Sequence, residues 1–226
     1  MGFDRIRIKE NAKTHYQNNK WQNVLVILIN VLIAGGVQVV VNVTGKDKLV
    51  MAFMSLVSIA IAILLTNIVA MGSATWFHRA IKTEGLKMEE MFWPFKKDYG
   101  GNVLLMFLME LYIFLWSLLF VIPGIVKSYS YSLAMYIKSE NPQISASQAI
   151  ELSKKMTNGR KMDLFVLDLS YIGWFLLSSI TLNILGVLYV LPYYQAAKAF
   201  AYEEIKEEAI SKQVVTEAEL YGNANV

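Results

Sequence analysis

The chain has 226 residues, of which 55% are hydrophobic and only 17% charged, against about 45–50% and about 25% in an average soluble domain. Its formal net charge of +3 comes from 21 Lys+Arg against 18 Asp+Glu, and the basic residues sit in short loops rather than in a run that could track a phosphate backbone, so nucleic acid is excluded as a partner. With no cysteine there are no disulfides or thiolate sites, and His15 and His78 are too few and too far apart in sequence for a histidine-based metal cluster; no metal and no cofactor is expected.

In chain order, residues 1–20 are polar and read as a cytoplasmic amphipathic pre-anchor, with Ile6, Ile8, Ala12 and Tyr16 among basic residues ahead of Trp21. A helix needs about 20 mainly apolar residues to cross a hydrocarbon core about 30 Å thick. Residues 21–43 and 49–77 reach that length with no internal charge. A third apolar run, 102–122, is interrupted by Pro123 and Gly124, which suit the centre of a tight turn because one fixes φ and the other accepts a positive one. Residues 125–139 are shorter and carry Lys127. A polar stretch holding a cytoplasmic helix near 144–157 follows, then a hairpin of 162–182 and 187–202 with a break expected at Pro192. Residues 203–226 read as a cytoplasmic polar tail, a helical extension fading into disorder. Sustained two-residue alternation is absent, which excludes a β-barrel; the fold is all-α, a polytopic helical membrane protein.

The positive-inside rule sets the parity. Basic residues precede the first span, fill 79–97 between the second and third, and recur at 154–161 before 162–182. Both loops lie inside only if 125–139 also crosses, which gives about six transmembrane helices in one domain, 21–202, with both termini cytoplasmic. The loop 45–48 and the Pro123 and Asn183 turns would then face outward.

Several pieces of the chain resemble one known group: Arg7–Trp21 (RIKENAKTHYQNNKW), Ile122-Pro123-Gly124-Ile125 leading to Ser130-Tyr131-Ser132, Gln148–Lys161 (QAIELSKKMTNGRK), Leu169–Trp174 (LSYIGW), and Pro192-Tyr193 followed by Tyr202-Glu203. Their order and spacing are similar to those of the bacterial integral-membrane family catalogued as domain of unknown function nine hundred seventy-five, found mainly in Gram-positive bacteria. That family is distantly similar to the membrane domain of glycerophosphodiester phosphodiesterases. The resemblance implies a multi-pass protein of the bacterial cytoplasmic membrane and contributes no catalytic residue.

Ionisable groups inside a bilayer cost roughly 2.5 to 3.5 kcal/mol each on insertion scales, so their positions are the best functional pointers. Glu110, Asp168 and Lys198 fall at one depth, about 7–12 Å below the cytoplasmic surface at 1.5 Å per residue, and form a candidate buried polar layer. Asn30, Gln38, Asn42 and Asn67 form a candidate polar helix face suited to bonds between helices. Gly35-Gly36, with Ala70 and Ala74, would allow close helix approach. Tyr129, Tyr131 and Tyr136 with Lys127, and Tyr189, Tyr193 and Tyr194, read as an aromatic belt near the outer half of their helices.

No H-E-x-x-H, G-x-S-x-G, phosphate-binding or dinucleotide signature is present, so no catalytic residue is assigned and the leading reading is non-enzymatic. It is an accessory in transport, envelope maintenance or resistance to membrane-active agents, meeting the lipid bilayer and a protein partner or a second copy of itself. The alternatives are a transporter or substrate-binding subunit for a small solute or lipid headgroup, and a membrane-embedded lipid or phosphodiester hydrolase.

Overall fold

A computed structural model describes residues 3–43 and 48–222, and among these every regular element is helical. Helix α1, Arg5–Asn18, is capped by the Asp4 carboxylate, which accepts from the Ile6 and Arg7 amides. Ile8, Ala12 and Tyr16 recur every four residues and so share one face, which is buried against the last long helix, with Arg7 pairing to Glu204 at 2.8 Å. The apolar face of this segment is thus buried against protein.

Helix α2, Lys20–Val43, leads to 44–47, outside the described residues, so the expectation for the 45–48 loop falls there. Helices α3, Lys48–Ile61, and α4, Asn67–Ala80, are joined through a π-turn, Ala62–Thr66. A π-turn disturbs the regular i→i−4 ladder, and here the Leu64 carbonyl accepts the Tyr99 hydroxyl at 2.6 Å. Nearly all of α4 is buried. At Gly72 a Cβ would lie 1.9 Å from the Met91 carbonyl oxygen, so only glycine admits the short helical turn 88–92 against α4. Gly35 and Gly36, by contrast, have open space where a Cβ would stand. The next turn, α5 (Trp93–Lys96), is fixed by Trp93 Nε1 donating to Thr75 Oγ1 at 2.7 Å.

Helices α6, Tyr99–Leu119, and α7, Val121–Tyr131, form an antiparallel hairpin. Ser117 lies beside Gly124, Trp116 beside Lys127 and Tyr112 beside Tyr131. The expected turn at Pro123 and Gly124 is corrected: the chain reverses at Phe120, which alone is extended (φ −159, ψ 149). Pro123 sits in the first turn of α7, where its missing N–H costs no helical bond, and Gly124 serves proximity, since a Cβ there would meet Ser117 Oγ at 2.0 Å. After a kink at Ser132 comes α8, Ala134–Glu140. Helix α9, Ala146–Met156, starts with a Ser145/Gln148 capping box and satisfies that kink: Ser153 Oγ accepts from the Leu133 amide at 3.1 Å and donates to the Ser130 carbonyl at 2.8 Å.

The second hairpin comprises α10, Lys161–Leu169, α11, Ile172–Ile180, a π-turn at Gly186–Val190 and α12, Leu191–Ser211. The expected break at Pro192 is also corrected. Helical structure continues past it, because the preceding π-turn absorbs the missing N–H, and the Leu188 carbonyl, four residues before the proline, accepts the Tyr16 hydroxyl at 2.6 Å. The tail is likewise more ordered than expected up to residue 222. Helix α13, Glu217–Tyr221, has its own capping box, Thr216/Glu219, and buries Leu220.

Two described helical stretches are long and apolar enough to cross a membrane, Tyr99–Leu119 and Lys161–Ile180. The other arms fall short of that test among the described residues, the return arm of the first hairpin because of its kink at Ser132 and α12 because it carries Lys198, Glu203, Glu204 and Lys206. One end of the molecule is a packed core around α4, α9 and α12, while the hairpin tips expose Phe120, Val121 and Ile122 and, in the second, Ile180, Leu182 and Ile184.

Candidate functional site

Two polar clusters stand out. In the first, α10 presents Asp168 toward α7 and α12. Its carboxylate takes Lys198 Nζ at 3.2 Å, the Tyr129 hydroxyl at 2.9 Å and the Tyr194 hydroxyl at 3.1 Å. The ammonium also lies over the Tyr129 and Tyr194 rings, at 5.7 and 5.8 Å from their centroids. One carboxylate therefore accepts from a cation and two hydroxyls, which is close to its full capacity. The structure brings Asp168 and Lys198 of the expected layer together and gives Glu110 a different partner: its Oε1 accepts from Asn67 Nδ2 at 2.7 Å. Asn67, expected on the polar face, thus bonds across helices. Asn30 is half-buried on α2, and the side chains of Gln38 and Asn42 lie outside the described residues.

Most of the tyrosines expected in an aromatic belt face inward. Tyr131, Tyr136 and Tyr193 are buried, and Tyr171 meets the rings of Tyr193 and Tyr194 at 5.0 and 5.3 Å. Hydroxyls that would anchor a lipid interface instead fill the space between α7, α8, α10 and α12.

The second cluster joins the ends of α4, α8 and α12. His78, only 2% exposed, has Nε2 at 2.5 Å from Glu203 and 3.5 Å from Glu140. Lys206 bridges the two carboxylates at 2.7 Å to Glu140 and 2.9 Å to Glu203, and Lys82 bridges them at 3.0 and 2.8 Å. Tyr202 donates to Glu140 at 2.6 Å and stacks on Tyr136, while the His78 ring meets both edge-on. Burial pushes Glu203 up, but hydrogen bonds from His78, Lys82 and Lys206 hold it at about 2. Glu140 lies below its ordinary value: burial raises it, and the bonds from Lys206 and Tyr202 outweigh that. His78 is lowered, chiefly by burial against the opposing bond to Glu203, so it is neutral and donates Nε2–H to that carboxylate, leaving buried Nδ1 without a partner.

The ligand atoms of His78, Glu140 and Glu203 lie within 4.8 Å of one another, the donor types and spacing of a metal-ligand set. The two ammonium groups already balance the two carboxylates, so a divalent cation would have to displace both lysines. Sequence spacing gives no sign of this cluster, because 62 residues separate His78 from Glu140 and 63 separate Glu140 from Glu203. One signal was present: a histidine at the end of an otherwise apolar run, immediately before Arg79.

The architecture is thus a helical protein with apolar hairpins joined to a compact, ion-paired base. Residues 118–209 match the family model described as "Protein of unknown function (DUF975)", a stretch that contains four of the five motifs that carried the resemblance. No curated protein and no solved structure matches the chain.

Proposed function

We propose that the protein is a multi-pass component of the bacterial cytoplasmic membrane, with six crossings and both termini inside, acting as a non-enzymatic accessory in transport, envelope maintenance or resistance to membrane-active agents. The observation that carries the non-enzymatic reading is that both carboxylates of the candidate polar layer already have protein partners: Asp168 is held by Lys198, Tyr129 and Tyr194, and Glu110 by Asn67. Groups held this way serve helix association, which amides and hydroxyls support at about 0.6 kcal/mol per bond.

Two features support the membrane topology. The segments expected inside are tied to one another by ion pairs, Arg7 to Glu204, Lys82 to Glu140 and Arg160 to Glu208. The hairpin tips are apolar and uncovered. Exposing the six side chains Phe120, Val121, Ile122, Ile180, Leu182 and Ile184 to water would forgo roughly 9 kcal/mol or more, comparable with the whole stability of a domain, whereas lipid removes that penalty.

With no native cysteine, Lys46→Cys should react with an impermeant thiol reagent from outside and Glu84→Cys only after permeabilisation; the reverse pattern sinks the topology. Copurification from gently solubilised membranes should yield a protein partner at fixed stoichiometry. Turnover of a lipid or peptide substrate by the purified chain would defeat the accessory role. A second reading, transport of a small solute or lipid headgroup, is favoured by the residual exposure of Asp168 (24%) and Lys198 (14%), and it requires uptake that Asp168→Asn abolishes.

A further inference from the structure

One step of the chain sets a nucleophile beside an electrophile and has no part in either polar cluster. Asn158-Gly159 is the only Asn-Gly step in the sequence. It lies in the turn between α9 and α10, and both residues are exposed. Backbone bonds pin this turn on either side: the Asn158 amide donates to the Lys155 carbonyl at 3.2 Å, and the Arg160 amide to the Thr157 carbonyl at 3.0 Å. Between them, among the described residues, the Gly159 amide has no acceptor and the Asn158 side chain has no hydrogen-bond partner. Gly159 has φ +81, in the left-handed region that glycine alone enters freely, and a Cβ built on it would meet nothing within 4 Å. The nitrogen that follows Asn158 is therefore free, and the space around it is open.

The surroundings are basic. Asn158 and Gly159 line a cleft of about 320 Å³ between the end of α9 and the end of α12, with Lys155, Arg160 and Lys212 as its cations and Glu208 as its one carboxylate. Arg160 and Lys212 both pair with Glu208, so one carboxylate serves two of the three cations. Lys155 reaches Glu219 on the far side, at 3.4 Å. Negative charge that develops on the Asn158 side chain, or on the nitrogen beside it, meets neighbours of net positive charge and is stabilised by them. The turn also lies outside both stretches long enough to cross a membrane, so water reaches it.

We infer that Asn158 is a site of spontaneous covalent modification. The Gly159 nitrogen attacks Cγ of Asn158, the bond from Cγ to the side-chain nitrogen breaks, and ammonia leaves with the proton that Gly159 gives up, which closes a five-membered succinimide. Water then adds to one of the two ring carbonyls and opens the ring to aspartate or to isoaspartate. No oxidant or cofactor enters. Adjacent residues make the ring closure unimolecular, and glycine puts no side chain in its way. The product carries a carboxylate among Lys155, Arg160 and Lys212 where an amide stood. Isoaspartate also adds a methylene to the backbone just ahead of Arg160, which ties the start of α10 to Glu208 on α12.

The full chain, folded and solubilised, is held in mildly alkaline buffer and sampled over time by peptide mapping, with isoaspartate detected by enzymatic methylation. Asn158 should convert to both products, while other asparagines, Asn141 ahead of Pro142 and Asn183 ahead of Ile184 among them, stay amides. Gly159→Ala should stop the conversion. Because its positive φ strains any other residue and that variant could fail to fold, Lys155→Gln/Lys212→Gln is the second test. It should slow conversion about twofold, the effect of an exposed charge, and leave the rate in the denatured chain unchanged, since the cations gather at Asn158 only in the fold. Conversion of the denatured chain but not of the folded one overturns the inference, because the turn then protects the site. Conversion of the other asparagines at a similar rate also overturns it, and an unchanged rate in the folded lysine variant overturns the part assigned to the cleft.

Discussion

The Asp168 and His78 clusters use the same chemical groups, carboxylates, ammoniums and tyrosine hydroxyls, yet they differ in closure. Asp168 and Lys198 keep 24% and 14% exposure and form one pair with two hydroxyls around it. Around His78, two carboxylates share two lysines, with Lys206 5% exposed and Glu140 11%, while Glu203 keeps 20% and Lys82, at the rim, 40%. A single pair with partial access can relax when one member is lost. The shared set relaxes less easily, because losing Glu140 or Glu203 strands the buried Lys206 as well as Lys82.

Glu140→Gln tests the stronger side of that contrast, since it leaves Lys206 and Lys82 without one of their two carboxylates; a loss of about 3 kcal/mol is expected in denaturant unfolding of the solubilised protein. A loss below about 1 kcal/mol would mean that the cluster is wetter than its burial shows.

Acid should act on the same cluster in two stages. His78 is lowered by burial, so its neutral form stabilises the fold above about 6.5, and that contribution declines as pH falls below that value. His15, lowered by burial as well, acts in the same direction. Glu203, held at about 2, and Glu140, also lowered, stabilise the fold above the ordinary carboxylate range near 4.3, and that contribution is lost as pH falls toward 2. Thermal unfolding should therefore weaken gently below pH 6.5 and steeply between about 4 and 2. His78→Gln should remove most of the first stage, and an unchanged profile would assign it to His15.

Asp168→Asn should cost less, about 1 to 2 kcal/mol, because the amide still accepts from the tyrosines and Lys198 keeps contact with solvent and two rings. A cost equal to that of Glu140→Gln would erase the distinction between the clusters. Smallest of all, Tyr16→Phe removes one hydroxyl from the Leu188 carbonyl, for about 1 kcal/mol. If it is silent, water or lipid headgroups satisfy that carbonyl.

The helical class followed from the apolar runs, because a run's composition needs no knowledge of its neighbours. The apolar run starting at Trp21 lies in α2, and the segment near 144–157 contains α9 with Ser145 as its cap. Breaks were harder to read. Pro123 and Pro192 look like interruptions in one dimension, but a proline early in a helix loses no bond, and a π-turn with a tyrosine hydroxyl took up the second. Asp168 and Lys198 were recognisable as charges within apolar runs, whereas the partners of Glu110 were not, since α4 and α6 had to meet before Asn67 could reach it.

Composition and hydrophobic period by themselves determined that this chain is helical, largely apolar and basic in its connecting segments, because those properties depend on local free energies summed along the chain. Tertiary structure alone decided which charges found one another. His78, Glu140 and Glu203 lie far apart in sequence, and the energy that makes them a unit, Coulomb attraction within a desolvated space, exists only once α4, α8 and α12 have closed around it.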